Sequence, residues 1–241
     1  MKQSLLRMAA VAALVACSSG HAAFKPGPDG LPEGWKLFRI DEKVAATRFS
    51  LLAPPEQAVL HARADNSMAG IIRKQRIDLD KTPILCWRWK VKTTIAKADL
   101  RTKAGDDYAA RIYVFYDVPA SQLGFSDRLK IKLAKSLYGA EIPTAALNYV
   151  WDNQYSIGTL RANAYTDRTR MLVVESGNAK AGQWLSEARD VRQDYLAAFG
   201  GQAPDVVGLA IATDTDNTHG DAEAWYQEPR FVARAEQCPA P

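Results

Sequence analysis

The chain has 241 residues, of which 47% are hydrophobic and 24% are charged, a composition typical of a soluble globular protein. Its formal charge of +4 is too weak to indicate nucleic-acid binding, which needs a basic face or stripe. The length fits one large domain, and we find no linker or internal repeat that would divide it. The sequence therefore predicts a single soluble domain with no nucleic-acid partner.

The first residues have the pattern of an export signal. Lys2 and Arg7 form a positive region, and the apolar stretch 8–16 is too short to span a bilayer. We expect residues 1–23 to be a signal peptide, whose removal takes away two positive charges and no acids, lowering the formal charge from +4 to +2. Two cleavage sites compete. The motif LVAC has the form of a lipobox that would lipidate Cys17, whereas cleavage near residue 23 would give plain secretion.

The expected location is the periplasm, with an outer-membrane anchor if Cys17 is lipidated and membrane contact only through that lipid. Residues 24–34 are rich in Pro and Gly and are expected to be flexible. Their composition disfavours the alternative in which the apolar stretch is the first helix of the fold. Residues 35–234 then form the domain, and residues 235–241 form a C-terminal tail.

The chain has three cysteines, an odd number that needs an explanation in an exported protein. If Cys17 is lipidated or removed, Cys86 and Cys238 remain, and an oxidising compartment allows them to pair. Such a bridge would fix the C-terminus to the sheet. The alternative is two free thiols too far apart to bond.

The body of the chain is dominated by strand patterns. Residues 58–64 alternate between two faces, as a half-buried strand does, and residues 108–117 are rich in aromatic and β-branched side chains. Ten segments are predicted to be strands: Trp35–Ile40, Thr47–Leu52, Ala58–Ala64, Gly70–Gln75, Pro83–Lys92, Tyr108–Asp117, Ala145–Trp151, Arg170–Glu175, Asp205–Thr213 and Glu223–Val232.

Two segments have helical spacing. Ser126–Tyr138 places leucines at every fourth position and ends before a glycine. Glu187–Phe199 places Val191, Tyr195 and Phe199 on one face, with Ser186 as its cap. Strands outnumber helices and are mostly consecutive. We therefore predict a mainly β protein, an antiparallel β-sandwich of jelly-roll or galactose-binding-like form with two helices in its connections.

The first polar cluster opens the most strand-like segment. Asp106 and Asp107 close a long loop, and Arg111 stands in the middle of an apolar run. A buried Arg needs a carboxylate from a neighbouring strand or from a ligand. Either these residues bind a ligand or Arg111 and an aspartate form a buried pair that holds two strands together.

The second cluster follows an apolar segment that resembles a central strand. Asp214, Asp216 and Asn217 supply oxygen ligands suited to Ca²⁺, although His219 and Trp225 stand where an EF-hand needs glycine and glutamate. The sequence leaves two alternatives, a calcium site of another kind and a turn built on aspartate hydrogen bonds. No other cofactor is expected.

Aromatic residues form a third feature. Trp87 and Trp89 share one face of a strand and are expected in the core. Exposed aromatic rings in a β-sandwich stack on sugars, while nearby polar side chains bond the hydroxyls. On that basis the ligand-binding candidates besides the first cluster are Tyr149, Trp151, Asn163 and Tyr165.

An ordered series of motifs extends through the chain: PILCWRWKV, GDDYAARIYVFY, LNYVWDN, ANAYTDRTR and GLAIATDTDNT. The series resembles the DUF3047 family, exported bacterial proteins of unknown function, over residues 35–232. The resemblance implies no activity and assigns no role to any residue. The family's strand pattern is similar to that of galactose-binding-like sandwiches and carbohydrate-binding modules.

Three functions are compatible with these features. The first is a module that binds a saccharide or another small cell-envelope ligand. The second is a structural envelope protein whose polar clusters only hold the fold. The third is a glycan-active hydrolase or lyase with two of Asp106, Asp107, Asp214 and Asp216 as acid and base. Common catalytic motifs are absent, so no catalytic residue is identified.

Overall fold

The computed structural model describes residues 23–52, 58–119, 121 and 143–239. The expected signal peptide, the expected lipidation site Cys17 and the predicted helix Ser126–Tyr138 lie outside these residues. The described residues form two β-sheets that pack face to face, with one α-helix beside them. The predicted β-sandwich is confirmed. None of the described helices has the length and hydrophobicity needed to cross a membrane.

The sandwich is built from thirteen described strands and the helix α1 (Val191–Phe199). In chain order the strands are β1 (Lys36–Phe38), β2 (Arg48–Leu52), β3 (Val59–Asp65), β4 (Met68–Ile77), β5 (Ile84–Val91), β6 (Arg111–Tyr116), β7 (Ala145–Asp152), β8 (Leu160–Ala162), β9 (Thr169–Ser176), β10 (Leu185–Asp190), β11 (Val206–Asp214), β12 (Asp221–Tyr226) and β13 (Arg230–Val232).

The larger sheet has seven strands in the order β1-β4-β11-β6-β7-β9-β8. The smaller has six: β10, β5, β12, β3 and β2 in that order, with β13 also paired to β5. The prediction of an antiparallel sheet needs one correction, because β7 and β9 pair in parallel. The reason is that β9 inserts between β7 and β8 instead of following β8 at the edge.

The core lies between the sheets and is formed by alternate residues of each strand. Trp87 and Trp89 of β5 meet Tyr149 and Trp151 of β7, with ring centroids 5.2 Å apart for Trp87–Tyr149 and 5.9 Å for Trp89–Trp151. The two tryptophans of β5 are 2% and 0% exposed, as predicted. Per residue, burial of aromatic side chains makes the largest apolar contribution to the free energy of folding of this sandwich.

The second predicted helix begins later than expected. Residues 185–190 form β10, which pairs in register with β5 from Leu185 opposite Trp89 to Asp190 opposite Ile84. The helix begins at Val191, and its cap is Asp190, whose carboxylate accepts a 3.0 Å hydrogen bond from the Gln193 amide. Pairing with β5 outweighs the weak helix preference of this segment.

The last predicted strand is divided in two. Pro229 separates β12 from β13, because proline has no amide hydrogen to donate to a neighbouring strand. The short strands β8 and β10 were not predicted. The segment 24–34, expected to be flexible, is folded against the sandwich, with Phe24 fully buried beside Trp35.

Cys86 of β5 is joined to Cys238 by a disulfide bond. Their Cα atoms are 5.5 Å apart, within the range that a disulfide requires. Since β13 already pairs with β5, the bond holds the residues that follow β13 against the smaller sheet.

Candidate functional site

Arg111 is the centre of a buried polar cluster on the outer face of the larger sheet. Its neighbour Ile112 packs in the core, so strand alternation points Arg111 the other way, and it is only 4% exposed. The guanidinium forms ion pairs with Asp214 and, at 3.4 Å, with Asp106. Ala212 lies opposite Arg111 in the sheet, which places Asp214, two residues on, on the same face. The buried Arg–Asp pair considered from the sequence is therefore present.

Two further aspartates complete what we call the Arg111 cluster: Arg111, Asp106, Asp107, Asp214 and Asp216. Carboxylate oxygens of Asp107, Asp214 and Asp216 all lie within 4.8 Å of one another. Burial raises the pKa of Asp216, and the charge of Asp107 raises it further. With four acids and one guanidinium, the cluster carries excess negative charge that favours proton uptake by Asp216.

Both carboxylate oxygens of Asp107 accept hydrogen bonds from residues of the loop after β11. One oxygen accepts hydrogen bonds from the amide and the hydroxyl of Thr218, both at 2.6 Å, and the other accepts one from the Asn217 amide at 3.3 Å. Asp107 is fully buried. It therefore fixes the loop after β11 against the loop before β6, and its oxygens do not face solvent.

Three side chains form an accessible rim beside the cluster: Asn163, Tyr165 and Asn217. Asn163 donates to the second oxygen of Asp106 at 2.9 Å, and the Tyr165 hydroxyl donates to the side-chain oxygen of Asn217 at 2.7 Å. Tyr165 is 57% exposed, and the ammonium of Lys103 lies 5.1 Å from its ring centre. The structure thus brings five of the predicted ligand-binding residues together: Asp106, Asp107, Arg111, Asn163 and Tyr165.

Tyr149 and Trp151, the other two ligand-binding candidates, lie elsewhere. Both point from β7 into the core, where the Tyr149 hydroxyl donates to Asp194 at 2.8 Å and the Trp151 indole donates to the Gly177 carbonyl at 3.0 Å. They are 0% and 1% exposed. Their expected role as ligand contacts is corrected to core packing, because the larger sheet separates them from the Arg111 cluster.

Of the predicted calcium ligands, Asp214 and Asp216 belong to the Arg111 cluster and Asn217 lies on its rim, and their oxygens are partly engaged. Asp214 accepts from Arg111 and from the Tyr108 amide, and the oxygen of Asn217 accepts from Tyr165. Ca²⁺ takes six to eight oxygen ligands. The guanidinium of Arg111 already places a positive charge beside these carboxylates, where a bound Ca²⁺ would otherwise neutralise them. The calcium site stays a prediction.

Four buried polar atoms near Arg111 have no hydrogen-bond partner: Tyr108 Oη, Arg111 Nε, Asn148 Oδ1 and Asp152 Oδ2. Asn148 and Asp152 alternate with the core residues of β7 and so face outward with Arg111. Burial raises the pKa of Asp152 and of Tyr108. Native proteins usually give such atoms a protein or water partner. Sequence alternation of β7 could have identified Asn148 and Asp152.

A second acidic pair, missed from the sequence, lies at one side of the sandwich. Glu187 of β10 accepts a hydrogen bond from the Trp89 indole at 3.2 Å, and Glu175 of β9 pairs with Lys180 at 3.0 Å. Burial, together with the negative charge of Glu175, raises the pKa of Glu187 to about 7. Because residues from Glu187 onward were predicted to form a helix, the position of Glu187 on a strand was missed. The strand alternation of Leu185, Glu187 and Arg189 was the available signal.

We expect Glu187 to make stability depend on pH. Its folded pKa of about 7 lies above the ordinary 4.5, so the folded state binds the proton more tightly and loses this stabilisation as pH rises through 7. Glu187→Gln should therefore raise the free energy of unfolding at pH 8 by about 1–3 kcal/mol, with little gain at pH 5. Urea unfolding at both pH values measures this.

The charged groups facing Glu187 are Glu175, Lys180 and Arg189. Glu42→Gln, at an exposed carboxylate, is the matched control and should leave the pH dependence unchanged. Equal pH dependence in wild type and Glu187→Gln would contradict the expectation.

Comparison with known proteins gives one family and several remote likenesses. The model of the family described as "Protein of unknown function (DUF3047)" matches residues 33–230. No curated protein matches.

Solved structures similar to the chain include three proteins named for carbohydrates. The family 12 xyloglucanase from Bacillus licheniformis has 9% identity and a TM-score of 0.48, covering 90% of this chain and 97% of its own. Endoglucanase 3 of family GH12 from Trichoderma harzianum has 9% identity and a TM-score of 0.45, with 89% and 95% covered. The family 11 carbohydrate-binding module of Lic26A-Cel5E from Clostridium thermocellum has 6% identity and a TM-score of 0.40, with 88% and 95% covered. All three scores lie below 0.5 and carry no functional conclusion for this chain.

Proposed function

The chain belongs to the DUF3047 family, whose function is unknown, and we propose that it binds a saccharide at the rim of the Arg111 cluster. One observation carries the proposal. The exposed ring of Tyr165 stands at the edge of a group of polar side chains that is fixed from below by buried ion pairs.

The rim has the two kinds of surface that sugars need. A sugar ring stacks its C–H face on an aromatic ring, and its hydroxyls bond to nearby amides and carboxylates. Tyr165 offers the ring. Asn163 and Asn217 offer amide groups, and the half-buried Asp216 lies beside them.

The rim is also held in place before any ligand arrives. The Tyr165 amide donates to the side-chain oxygen of Asn163 at 2.9 Å, while Asn163 donates to Asp106 and Asp106 is paired with Arg111. Each link removes side-chain freedom that binding would otherwise have to remove. This chain of contacts gives the buried Arg111 a role in positioning as well as in stability.

The geometry favours binding over hydrolysis by the same acids. A glycosidase needs two carboxyl groups about 5 to 9.5 Å apart that both reach the substrate. Here Asp107 is buried under three hydrogen bonds and Asp214 is paired with Arg111. Neither has the free, substrate-facing oxygen that an acid or a nucleophile requires.

The alternative is a structural envelope protein without a ligand site. In such a protein the buried cluster would stabilise the fold, and the exposed rim would have no function. The two proposals therefore differ in what removal of Tyr165 changes.

We also propose that the protein works outside the cytoplasm, a location supported by the disulfide bond between Cys86 and Cys238.

Tyr165→Ala is expected to weaken saccharide binding about tenfold while leaving stability almost unchanged, because an exposed ring contributes to stacking and little to the core. The measurement is isothermal titration of wild type and variant against a panel of neutral oligosaccharides and peptidoglycan fragments. Thermal unfolding of both proteins checks the fold.

Ile157→Ala is the matched control, since Ile157 is equally exposed at 58% and lies outside the rim. It should bind as wild type does. Wild-type protein that binds no member of the panel would refute saccharide binding, and unchanged binding by Tyr165→Ala would refute the assignment to the rim.

A further inference from the structure

A cavity of about 490 Å³ opens at the end of the sandwich where β9 begins and α1 ends. Its lining includes two arginines, Arg168 and Arg170, and two aromatic rings, Tyr195 and Phe199. The volume lies within the range that small-molecule sites occupy. None of these residues belongs to the Arg111 cluster or to its rim.

The cavity and the Arg111 cluster lie on opposite faces of the larger sheet. Met171 contacts Asn163 on the outer face, with its sulfur 3.6 Å from the Asn163 side-chain nitrogen. Arg170 precedes Met171 in β9 and therefore points to the inner side, as does Leu172 in the core.

Arg170 is a half-buried cation that pairs with none of the described carboxylates. Its guanidinium carbon lies 5.6 Å from the ring centre of Phe199, and its Nε has no hydrogen-bond partner. Partial burial of a charge is costly unless an opposite charge or hydrogen-bond acceptors compensate it. An oxyanion in the cavity would provide both.

The walls of the cavity are held rigidly. Tyr195 packs against Phe199 at 4.9 Å and against Tyr116 at 4.7 Å between ring centroids. Arg168 donates from Nε to the Thr144 carbonyl at 2.8 Å, which fixes the direction of its side chain. A fixed guanidinium loses little freedom when it binds an anion.

Three consecutive residues after α1 also line the cavity: Gly200, Gly201 and Gln202. Gly200 and Gly201 have φ values of 72° and 68°, which favour glycine, and a Cβ at either position would meet nothing within 4 Å. Asp167 also borders the cavity, beside the two arginines.

We propose that this cavity binds a monosaccharide-sized ligand that carries an oxyanion, with Arg170 pairing to the anion and the aromatic wall contacting the ring. Guanidinium groups bind carboxylate and phosphate through two parallel hydrogen bonds. The site is separate from the rim of the Arg111 cluster and does not depend on saccharide binding there.

The test is isothermal titration of the full chain with three probes: glucuronate, glucose 6-phosphate and glucose. We expect at least one anionic sugar to bind at least tenfold more tightly than glucose, and the two anions to identify whether carboxylate or phosphate is preferred. Arg170→Gln should weaken that binding at least tenfold. Arg161→Gln, at an exposed arginine of the neighbouring strand β8, should not.

Arg170→Lys keeps the charge and loses the planar group, so it should bind several-fold more weakly than wild type and remain measurable if Arg170→Gln does not fold. Tyr165→Ala should leave this binding unchanged, which separates it from binding at the rim. Any one of three results would overturn the proposal. These are equal affinity of the wild type for glucose and both anions, no binding of either anion by the wild type, and unaltered binding by both Arg170 variants.

Discussion

Replacing Arg111 with methionine is expected to lower the free energy of unfolding by about 3–5 kcal/mol, because it removes one partner of a buried ion pair. Asp106 and Asp214 would lose their guanidinium, and four carboxylates would remain in a buried space without the cation that now balances them. Urea unfolding at pH 7 measures the loss. The variant should recover part of its stability at pH 5, because the pKa of Asp216 is already raised by burial and by the charge of Asp107 and this carboxylate takes up a proton as pH falls.

The matched control is Arg63→Met. Arg63 is paired with Glu223 at 3.6 Å, but its side chain is 65% exposed, and exposed pairs contribute at most about 1 kcal/mol. Adding Asp214→Asn to Arg111→Met should restore part of the lost stability, since it removes one of the uncompensated charges. A loss below about 1 kcal/mol in Arg111→Met would show that solvent reaches the cluster and that the burial argument is wrong.

Removal of the disulfide bond is expected to lower the free energy of unfolding by about 2–5 kcal/mol. The two cysteines are 152 residues apart, so the bond restricts most of the unfolded chain, and long loops give the largest effect in the chain-entropy account. The double variant Cys86→Ala with Cys238→Ala tests this by urea unfolding. Alanine at Cys86 leaves only a small gap in β5.

Dithiothreitol provides the control. It should lower the unfolding midpoint of the wild type and leave that of the double variant unchanged, because the variant has no bond to reduce. Identical midpoints for oxidised wild type and the double variant would contradict the expected contribution of the bond.

The sandwich could be predicted because its evidence is local. Alternation in Ala58–Ala64 and the aromatic run before Asp117 depend on residues close in the chain, and both segments are strands in the structure. Residues 187–190 were placed in a helix because the pairing of β10 with β5, about a hundred residues away in the chain, leaves no mark in a short segment. The helix itself was correctly assigned from Val191 onward.

The members of the Arg111 cluster were singled out from the sequence for their chemistry, but their partners could not be predicted. Arg111 meets Asp214 because β6 lies beside β11, and this order of strands cannot be read from periodicity. The face of Tyr149 was missed although a signal was present. All eight residues of β7 are buried, but its polar side chains Asn148 and Asp152 alternate with Tyr149 and Trp151 and mark the outer face.

The position of β11 determines when this protein can finish folding. β11 is the only described strand that connects β1 and β4 to β6, β7, β9 and β8, since it pairs with β4 on one side and β6 on the other. A chain emerging from the ribosome or from a translocation channel N-terminus first must therefore wait for residue 214 before the two parts of the larger sheet can join. Contacts so distant in the chain make folding slow. Under the export that we propose, the larger sheet would therefore form only after the chain has crossed the membrane.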